Sequence, residues 1–120
     1  MEKRELGSWG EQRAARYLRR KGYKIIEMNY SLRGGEIDII AANAEFIVFA
    51  EVKLRKNADF AEAREFVTYA KQQRIISTAL MYLTQNETSL QPRFDVIEVY
   101  APLGEKTRRP EIRHIEDAFC

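Results

Sequence analysis

Hydrophobic positions along the chain change their spacing several times, and each change predicts a new element. Over residues 8–21, apolar side chains recur at the spacing of one helix face, and Gly22 follows where a helix C-cap glycine is usual. Residues 23–32 are rich in Tyr and Ile and stop before the Gly34-Gly35 pair, which is a turn signal. The first third of the chain therefore predicts a helix followed by a strand.

The next two apolar stretches predict a β-hairpin. Residues 36–42 and 45–53 are dominated by Ile, Val, Ala and Phe, and Asn43 and Ala44 lie between them as a plausible short turn. Within the second stretch, residues 46–50 are apolar on both faces. Such a strand is normally covered on both sides, so we expect it at the centre of a sheet.

The second half of the chain predicts one further helix and two further strands. Residues 68–83 carry an apolar stripe at helical spacing, with Thr68 as the N-cap. Residues 93–101 predict a strand, and residues 111–117 predict a short final one. This order indicates a mixed α/β fold in which helices cover both faces of one sheet. At 120 residues, we expect a single domain over residues 1–120.

The composition and the lack of targeting signals predict an ordered cytoplasmic protein. The chain is 45% hydrophobic and 32% charged, a balance typical of globular domains. No stretch approaches the roughly 18 consecutive apolar residues of a membrane span, and the first residues lack the apolar core of a signal peptide. Cys120 is the only cysteine and His114 the only histidine, which excludes an intrachain disulfide and a zinc site of Cys and His. Catalysis by this chain would have to use carboxylates and lysines.

The net charge of +2 is small, but basic residues are grouped in three places. A single cluster of charge is usually a solvated face, whereas three clusters together are also what a phosphate-binding surface requires. Both interpretations stay open from the sequence. The clusters are Arg13, Arg16, Arg19, Arg20, Lys21 and Lys24, then Lys53, Arg55 and Lys56, and finally Lys106, Arg108 and Arg109.

Charged side chains interrupt the predicted hairpin on one of its faces. Because side chains alternate along a strand, Glu51 and Lys53 share a face and lie about 7 Å apart. A two-residue turn would place Asp38 opposite Phe49, one diagonal step from Glu51 and on the same face. A four-residue loop preserves this face, whereas a three-residue loop would move Asp38 to the other one.

Two acids and a lysine at buried positions need partners, because an isolated buried charge is costly. One interpretation is a salt-bridged structural cluster. The other is a metal site, since Mg²⁺ often binds one or two carboxylates together with water and phosphate oxygens. Asp38 and Glu51 would hold the ion, and Lys53 would orient the attacking water or stabilise charge on the phosphate. This interpretation predicts phosphodiester hydrolysis.

Other polar residues flank this position and have two interpretations each. Glu11 either closes a capping box with Ser8, in the pattern S-x-x-E, or lies on the apolar helix stripe and faces the strand site. Arg55 and Lys56 directly follow the apolar strand, and Lys71 falls in the first turn of the second helix. Each of these three either contacts phosphate or faces solvent.

Four further polar residues are not assigned to catalysis. Glu36 shares the strand parity of Asp38 and is either a supporting acid or part of a salt bridge at the strand edge. Arg93 and Asp95 are expected to pair with each other near the end of the sheet. His114 is expected at the surface or at the sheet edge.

Asp38 and the Glu-Val-Lys sequence at residues 51–53, after a helix with Glu11, resemble the PD-(D/E)xK nucleases of the restriction-endonuclease-like fold. Ile37 stands where the superfamily motif has proline, a change that leaves the acid in place. Five blocks within residues 7–99 are similar, more specifically, to the YraN-like family, which is inferred to consist of bacterial endonucleases. These blocks are GSWGEQRAARYLRRKGYKIIEMN, GGEIDIIA, FAEVKLR, VTYAKQQRIISTALMYL and RFDVIEV.

The resemblance implies an αβββαβ core with a Mg²⁺ site, in which Mn²⁺ can substitute, formed by Asp38 and Glu51. It also implies that Lys53 is the catalytic lysine and Glu11 an added acid. The family is akin to archaeal Holliday-junction resolvases, which cut branched DNA as dimers, so DNA and a second copy of the chain are the expected partners. Mg²⁺-dependent cleavage of DNA is the leading expectation. A non-catalytic nucleic-acid-binding or assembly module on the same fold is the alternative.

Overall fold

The computed structural model describes residues 3–56 and 67–119, which form two α-helices and one five-stranded sheet. The elements are α1 (Lys3–Arg20), β1 (Lys24–Leu32), β2 (Gly35–Ala42), β3 (Phe46–Arg55), α2 (Tyr69–Gln85), β4 (Gln91–Tyr100), a short 3-10 turn (Gly104–Lys106) and β5 (Glu111–Phe119). The sheet order is β1-β2-β3-β4-β5; β3 and β4 are parallel, and the other neighbouring strands are antiparallel. This mixed architecture confirms the predicted fold class and is compatible with a restriction-endonuclease-like fold. Neither described helix is long and apolar enough to cross a membrane.

One helix covers each face of the sheet, and β3 separates two apolar cores. Val48 packs in one core with Leu18 of α1, and Phe49 packs in the other with Ile75 of α2. Neighbouring residues of β3 point to opposite faces because side chains alternate along a strand. The prediction that residues 46–50 form a central strand covered on both sides is confirmed.

The start of α1 differs from the prediction, whereas its end and the start of α2 agree with it. Because α1 begins at Lys3, Ser8 lies inside the helix, where backbone N–H groups already have helical partners, and the predicted capping box is wrong. Gly22 adopts a φ of +95°, a left-handed conformation that glycine tolerates after a helix. Thr68 is the N-cap of α2, and its hydroxyl accepts a hydrogen bond from the Lys71 N–H at 3.2 Å.

The turn between β2 and β3 is shifted along the chain from the predicted one. The Asn43 N–H donates to the Phe46 carbonyl oxygen at 3.0 Å, so the pairing reaches these two residues. The turn residues are therefore Ala44 and Glu45 instead of Asn43 and Ala44. The Asn43 side chain accepts hydrogen bonds from the N–H groups of Glu45 at 2.9 Å and Phe46 at 2.7 Å. These side-chain bonds mimic a backbone turn and stabilise the turn at this position.

The shifted turn changes the partner of Asp38. Strand pairing ends at Ile39 and Ala50, and one further step in this register places Asp38 opposite Glu51. The predicted register, with Asp38 opposite Phe49, is therefore wrong by two residues. Because this shift is even, Asp38 and Glu51 keep the same face of the sheet, and that prediction is confirmed.

A buried polar cluster lies on the face of β4 and β5 that α1 covers. The Arg93 guanidinium donates to both Asp95 oxygens, at 2.9 and 2.8 Å, which confirms the predicted pair. His114 makes hydrogen bonds with Asp95 at 2.7 Å and with the Tyr17 hydroxyl at 3.0 Å. His114 lies on the edge strand β5, which confirms the predicted sheet-edge position, but its side chain is only 4% exposed, so it is not a surface residue. The reason is that this face of the edge strand β5 is covered by α1.

Gly35, the first residue of β2, lies directly against α2. A Cβ atom there would overlap the Thr78 hydroxyl and come within 3.1 Å of the Arg74 carbonyl oxygen. We expect Gly35→Ala to lower the free energy of unfolding by about 1–3 kcal/mol, measured by urea denaturation, because α2 must move away from β2. Gly7→Ala is the matched control, since among the described residues no atom outside the backbone of α1 and the residues next to Gly7 lies within 4 Å of a Cβ added at this position. Equal stability of the two variants would contradict the close packing at Gly35.

Candidate functional site

An open cleft of about 470 Å³ lies between α2 and the turn that joins β1 to β2. Its walls include the carboxylates of Glu36 and Asp38 from β2 and of Glu51 from β3. The cationic side chains of Lys71 and Arg74 reach the cleft from α2. Three elements that are separated in the sequence therefore bring charged groups to one accessible place.

Asp38 and Glu51 lie where β2 and β3 separate. Beyond the last paired residues, Ile39 and Ala50, the N–H of Val52 donates to Asp38 Oδ2 at 2.8 Å. The Asp38 carboxylate, and not a backbone carbonyl of β2, therefore accepts this hydrogen bond from β3. Both acids are buried, with exposed fractions of 9% for Asp38 and 5% for Glu51. The two carboxylates therefore lie next to each other at the point where the sheet opens to the cleft.

The environment of Asp38 disfavours its charged form. Burial and the neighbouring charge of Glu51 raise the pKa of Asp38 from its ordinary value of 3.8 to about 7, although the hydrogen bond from Val52 opposes the shift. A carboxyl group in this situation is stabilised in its charged form by a nearby cation. The site thus has the electrostatic character of a cation-binding position.

Glu11 approaches the two strand acids from α1. Burial raises its pKa, the side chain of Asn29 lowers it, and the charges of Glu36 and Glu51 raise it further. The charge of Glu11 in turn contributes to the raised pKa of Asp38. Of the two interpretations of Glu11 that the sequence allowed, the structure supports the one in which it faces the strand acids.

Two lysines place positive charge beside Glu51. Lys71 Nζ lies 2.6 Å from Glu51 Oε1. Burial lowers the pKa of Lys71, but the hydrogen bond and the charge of Glu51 outweigh burial and raise it. Lys53 is half-buried on the strand face of Glu51, and both burial and the charge of Lys71 lower its pKa. Lys71, which the sequence suggested only as a nucleic-acid contact, is therefore also a direct partner of a proposed metal ligand.

Arg55 and Lys56 differ in their placement. Arg55 is 8% exposed, and its Nε lies 3.4 Å from Glu98 Oε2. A buried, ion-paired guanidinium is poorly placed for a phosphate, so the structure argues against the phosphate contact predicted for Arg55. Lys56 is exposed after the end of β3 and stays a predicted nucleic-acid contact.

Sequence reasoning missed Asn29 and Arg74. Asn29 has a φ of +54°, in the left-handed region that Asn tolerates better than most residues, and its side chain acts on Glu11. A single Asn within a predicted strand does not indicate, from the sequence alone, that it adopts a left-handed conformation or acts on Glu11. Arg74 lines the cleft three residues after Lys71, and this spacing on a helix was a usable signal for a shared basic face.

The donor set of the site is compatible with Mg²⁺ or Mn²⁺. Within residues 3–56 and 67–119, no group of three or more His, Cys, Asp or Glu side chains is arranged to hold a metal ion. Mg²⁺ does not require such a group, because it commonly binds one or two carboxylates and completes its shell with water and phosphate oxygens. Asp38 and Glu51 supply two carboxylates, and the pKa of Asp38, raised first by burial and then by the charge of Glu51, would be lowered by a bound cation.

The sequence is similar to those of other known proteins. The sequence model of the uncharacterised protein family UPF0102 matches residues 10–99, a range that contains all the proposed site residues. A UPF0102 protein of Caldanaerobacter subterraneus subsp. tengcongensis is 46% identical over 118 residues, 98% of this chain and 96% of the relative. One of Clostridioides difficile is 47% identical over 120 residues, 99% and 100% of the two chains. One of Flavobacterium psychrophilum is 38% identical over 118 residues, 98% and 96% of the two chains.

Proposed function

The chain belongs to the uncharacterised protein family UPF0102, and we propose that it is a metal-dependent nuclease that hydrolyses phosphodiester bonds in DNA. The observation that carries this proposal is the placement of Asp38 and Glu51 side by side where β2 and β3 separate, in an open cleft with lysines beside them. We further propose that the fold and this motif relate the chain to the PD-(D/E)xK nucleases. A cytoplasmic location and action as a homodimer on branched DNA are parts of the same proposal.

Asp38 and Glu51 are the residues that would hold Mg²⁺, with Mn²⁺ as a substitute. A divalent cation bound there supplies charge neutralisation for a phosphate and lowers the pKa of water. The cleft is open to solvent, so a phosphate of the substrate can reach these carboxylates without a rearrangement of the sheet. Glu11 adds a third acid beside Asp38 and helps to attract the cation.

The lysines have separate roles in this proposal. Lys53 Nζ donates hydrogen bonds either to the attacking water or to a phosphate oxygen that gains charge during the reaction. Lys71 holds the Glu51 carboxylate from α2 through its 2.6 Å ion pair. Its half-exposed ammonium group also faces the cleft, where it attracts the phosphate backbone.

The test is a cleavage assay with labelled single-stranded, duplex, flapped and four-way-junction DNA, and with RNA. We expect the wild type to cut at least one DNA substrate with Mg²⁺ or Mn²⁺ and none in the presence of a chelator. Glu51→Gln should lower the rate by at least about 100-fold, because it removes a charged oxygen ligand. Glu45→Gln, an exposed acid in the β2–β3 turn, is the control and should cut at the wild-type rate.

Two results would contradict the proposal. Equal cleavage by the wild type and Glu51→Gln would identify a contaminating nuclease. Binding of DNA by both proteins with no cleavage of any substrate would favour the non-catalytic binding or assembly module. Cleavage of RNA alone would keep the chemistry but replace the substrate.

A further inference from the structure

We propose that a groove beside α1, separate from the cleft, binds the phosphate backbone of a second stretch of nucleic acid. This groove has a volume of about 650 Å³ and lies between α1 and the loop that precedes β5. The cleft and the groove have no lining residue in common. The charged residues of the groove are Arg13, Arg16 and Arg20 from α1 and Arg108 and Arg109 from the loop. The inference deepens the proposed function, because it concerns how the same substrate is held.

The three arginines of α1 form a row on one side of the helix. Arg13, Arg16 and Arg20 follow a spacing of three and four residues, so they lie above one another on the helix surface and span about 10 Å along its axis. At about 100° per residue, this row lies roughly 140–200° around the helix from Glu11. Because Glu11 faces the acids of the cleft, the groove is on the opposite side of α1.

The loop that supplies the other two arginines is held in place by hydrogen bonds. The Thr107 hydroxyl accepts a hydrogen bond from the Leu103 N–H at 3.0 Å, and Thr107 is buried. The Arg13 guanidinium donates to the Arg108 carbonyl oxygen at 3.5 Å, which ties the loop to α1. These two contacts favour a groove that exists without a ligand, which would lower the entropic cost of binding.

The five arginines of the groove have no ion-pair partners among the described residues. In that part of the chain no carboxylate lines the groove, and none of the five arginines forms an ion pair. Like charges three and four residues apart destabilise a helix, so this row has a cost that a bound anion would offset. Guanidinium groups bind phosphate oxygens in pairs of parallel hydrogen bonds. A polyanion rich in phosphate is thus the chemical class that the groove fits.

Shape and spacing favour nucleic acid among the polyanions. A concave groove accepts a strand, whereas an anionic membrane presents a broad and nearly flat surface. One strand of duplex DNA carries a phosphate every ~3.4 Å along the axis, so about three phosphates match the length of the arginine row. Tyr17, Pro110 and Ile112 give the groove apolar surface that sugar rings can contact. With one stretch in the cleft and another in the groove, α1 would lie between two segments of a bent or branched substrate.

The test measures DNA binding at several salt concentrations with a chelator present, so that cleavage is not required. Arg16→Gln combined with Arg109→Gln removes two exposed charges from the groove. We expect this variant to bind a four-way junction about tenfold more weakly and to reduce the slope of log K against log salt by about 2. The matched control, Arg19→Gln combined with Lys24→Gln, removes two exposed charges outside the groove and should keep most of the slope. The double variant Arg16→Lys with Arg109→Lys should also keep most of the salt slope, because both positive charges are retained.

The outcomes separate this inference from the nuclease proposal. Equal loss of binding in the groove variant and the control would overturn the groove as a specific site, as would no loss in either. Binding of polyglutamate or of anionic phosphatidylserine vesicles as tightly as DNA, with the same dependence on Arg16 and Arg109, would overturn the assignment to nucleic acid. If the wild type cuts DNA but the groove variant binds DNA as tightly as the wild type, only the groove proposal is overturned. If the wild type binds DNA through the groove but cuts no substrate, only the nuclease proposal is overturned.

Discussion

Asp38→Asn is expected to abolish cleavage and, without divalent ions, to make the protein more stable than the wild type. The rate should fall by at least about 1,000-fold, because the change removes one of the two carboxylates proposed to hold the cation. The Asn amide oxygen can still accept the hydrogen bond that Asp38 accepts from the Val52 N–H at 2.8 Å, so the local backbone should keep its structure. Single-turnover cleavage of the preferred DNA substrate measures the first effect.

The gain in stability follows from the raised pKa of Asp38. Its folded-state pKa of about 7 exceeds the ordinary value of 3.8, so ionised Asp38 destabilises the metal-free fold. This penalty is absent at acidic pH, grows as pH rises above about 4, and is complete above about 7. A neutral Asn has no such penalty, and the free energy of unfolding should rise by on the order of 1–3 kcal/mol at pH 8.

Urea denaturation at pH 5 and pH 8 with a chelator present checks this expectation. The advantage of Asp38→Asn over the wild type should be larger at pH 8 than at pH 5. Glu45→Gln, which removes an exposed acid, is the control and should show no comparable change. A variant that loses activity and stability together would indicate a structural role for Asp38 instead of a metal-binding one.

Local patterns were sufficient to predict most elements of the fold. The continuous apolar run of β3 and the apolar stripes of both helices depend on neighbouring residues, and these predictions agree with the structure. The face shared by Asp38 and Glu51 was predictable because only the parity of the turn length decides it. The register itself was not, because the turn lies one residue later than predicted, where the side chain of Asn43 accepts hydrogen bonds from the N–H groups of Glu45 and Phe46.

Contacts between distant parts of the chain explain the remaining errors. His114 has no local signal for burial, since its partner Tyr17 is 97 residues away in the sequence. Arg55 follows an apolar strand as an exposed basic residue would, but it pairs with Glu98 on the adjacent strand β4. The ion pair of Lys71 with Glu51 requires the packing of α2 against the sheet. Each of these depends on tertiary structure that a linear pattern does not contain.

Asp95→Asn, a substitution outside the cleft, is expected to cause a large loss of stability. The Asp95 side chain is fully buried and accepts two hydrogen bonds from Arg93 and one from the Asp117 N–H, besides its bond with His114. An amide has a single acceptor oxygen, so at least one buried donor would lose its partner. The Arg93 guanidinium, 8% exposed, would lose its buried counter-ion and keep the Tyr23 hydroxyl, the Phe46 ring and the exposed Glu116 nearby.

Breaking a buried ion pair by removing one partner costs about 3–5 kcal/mol, which is a large part of the roughly 5–15 kcal/mol that stabilises a typical domain. We expect a loss of this size in urea denaturation at pH 7. Arg93→Met combined with Asp95→Asn should lose less than the sum of the two single changes, because the double variant leaves no unpaired buried charge. Losses that add without such coupling would contradict the account of this cluster.

The same cluster predicts how the loss depends on pH. Burial alone would raise the pKa of Asp95, but hydrogen bonds from His114, Arg93 and the Asp117 N–H hold it below its ordinary value of 3.8. A depressed carboxyl pKa gives stability that is fully present above about pH 4 and is lost as pH falls through the lower folded-state value. The difference in stability between the wild type and Asp95→Asn should therefore be constant from pH 7 to about pH 5 and shrink below pH 4. A difference that stays unchanged down to pH 2 would show that the charge of Asp95 does not stabilise the fold, and that the loss comes from packing alone.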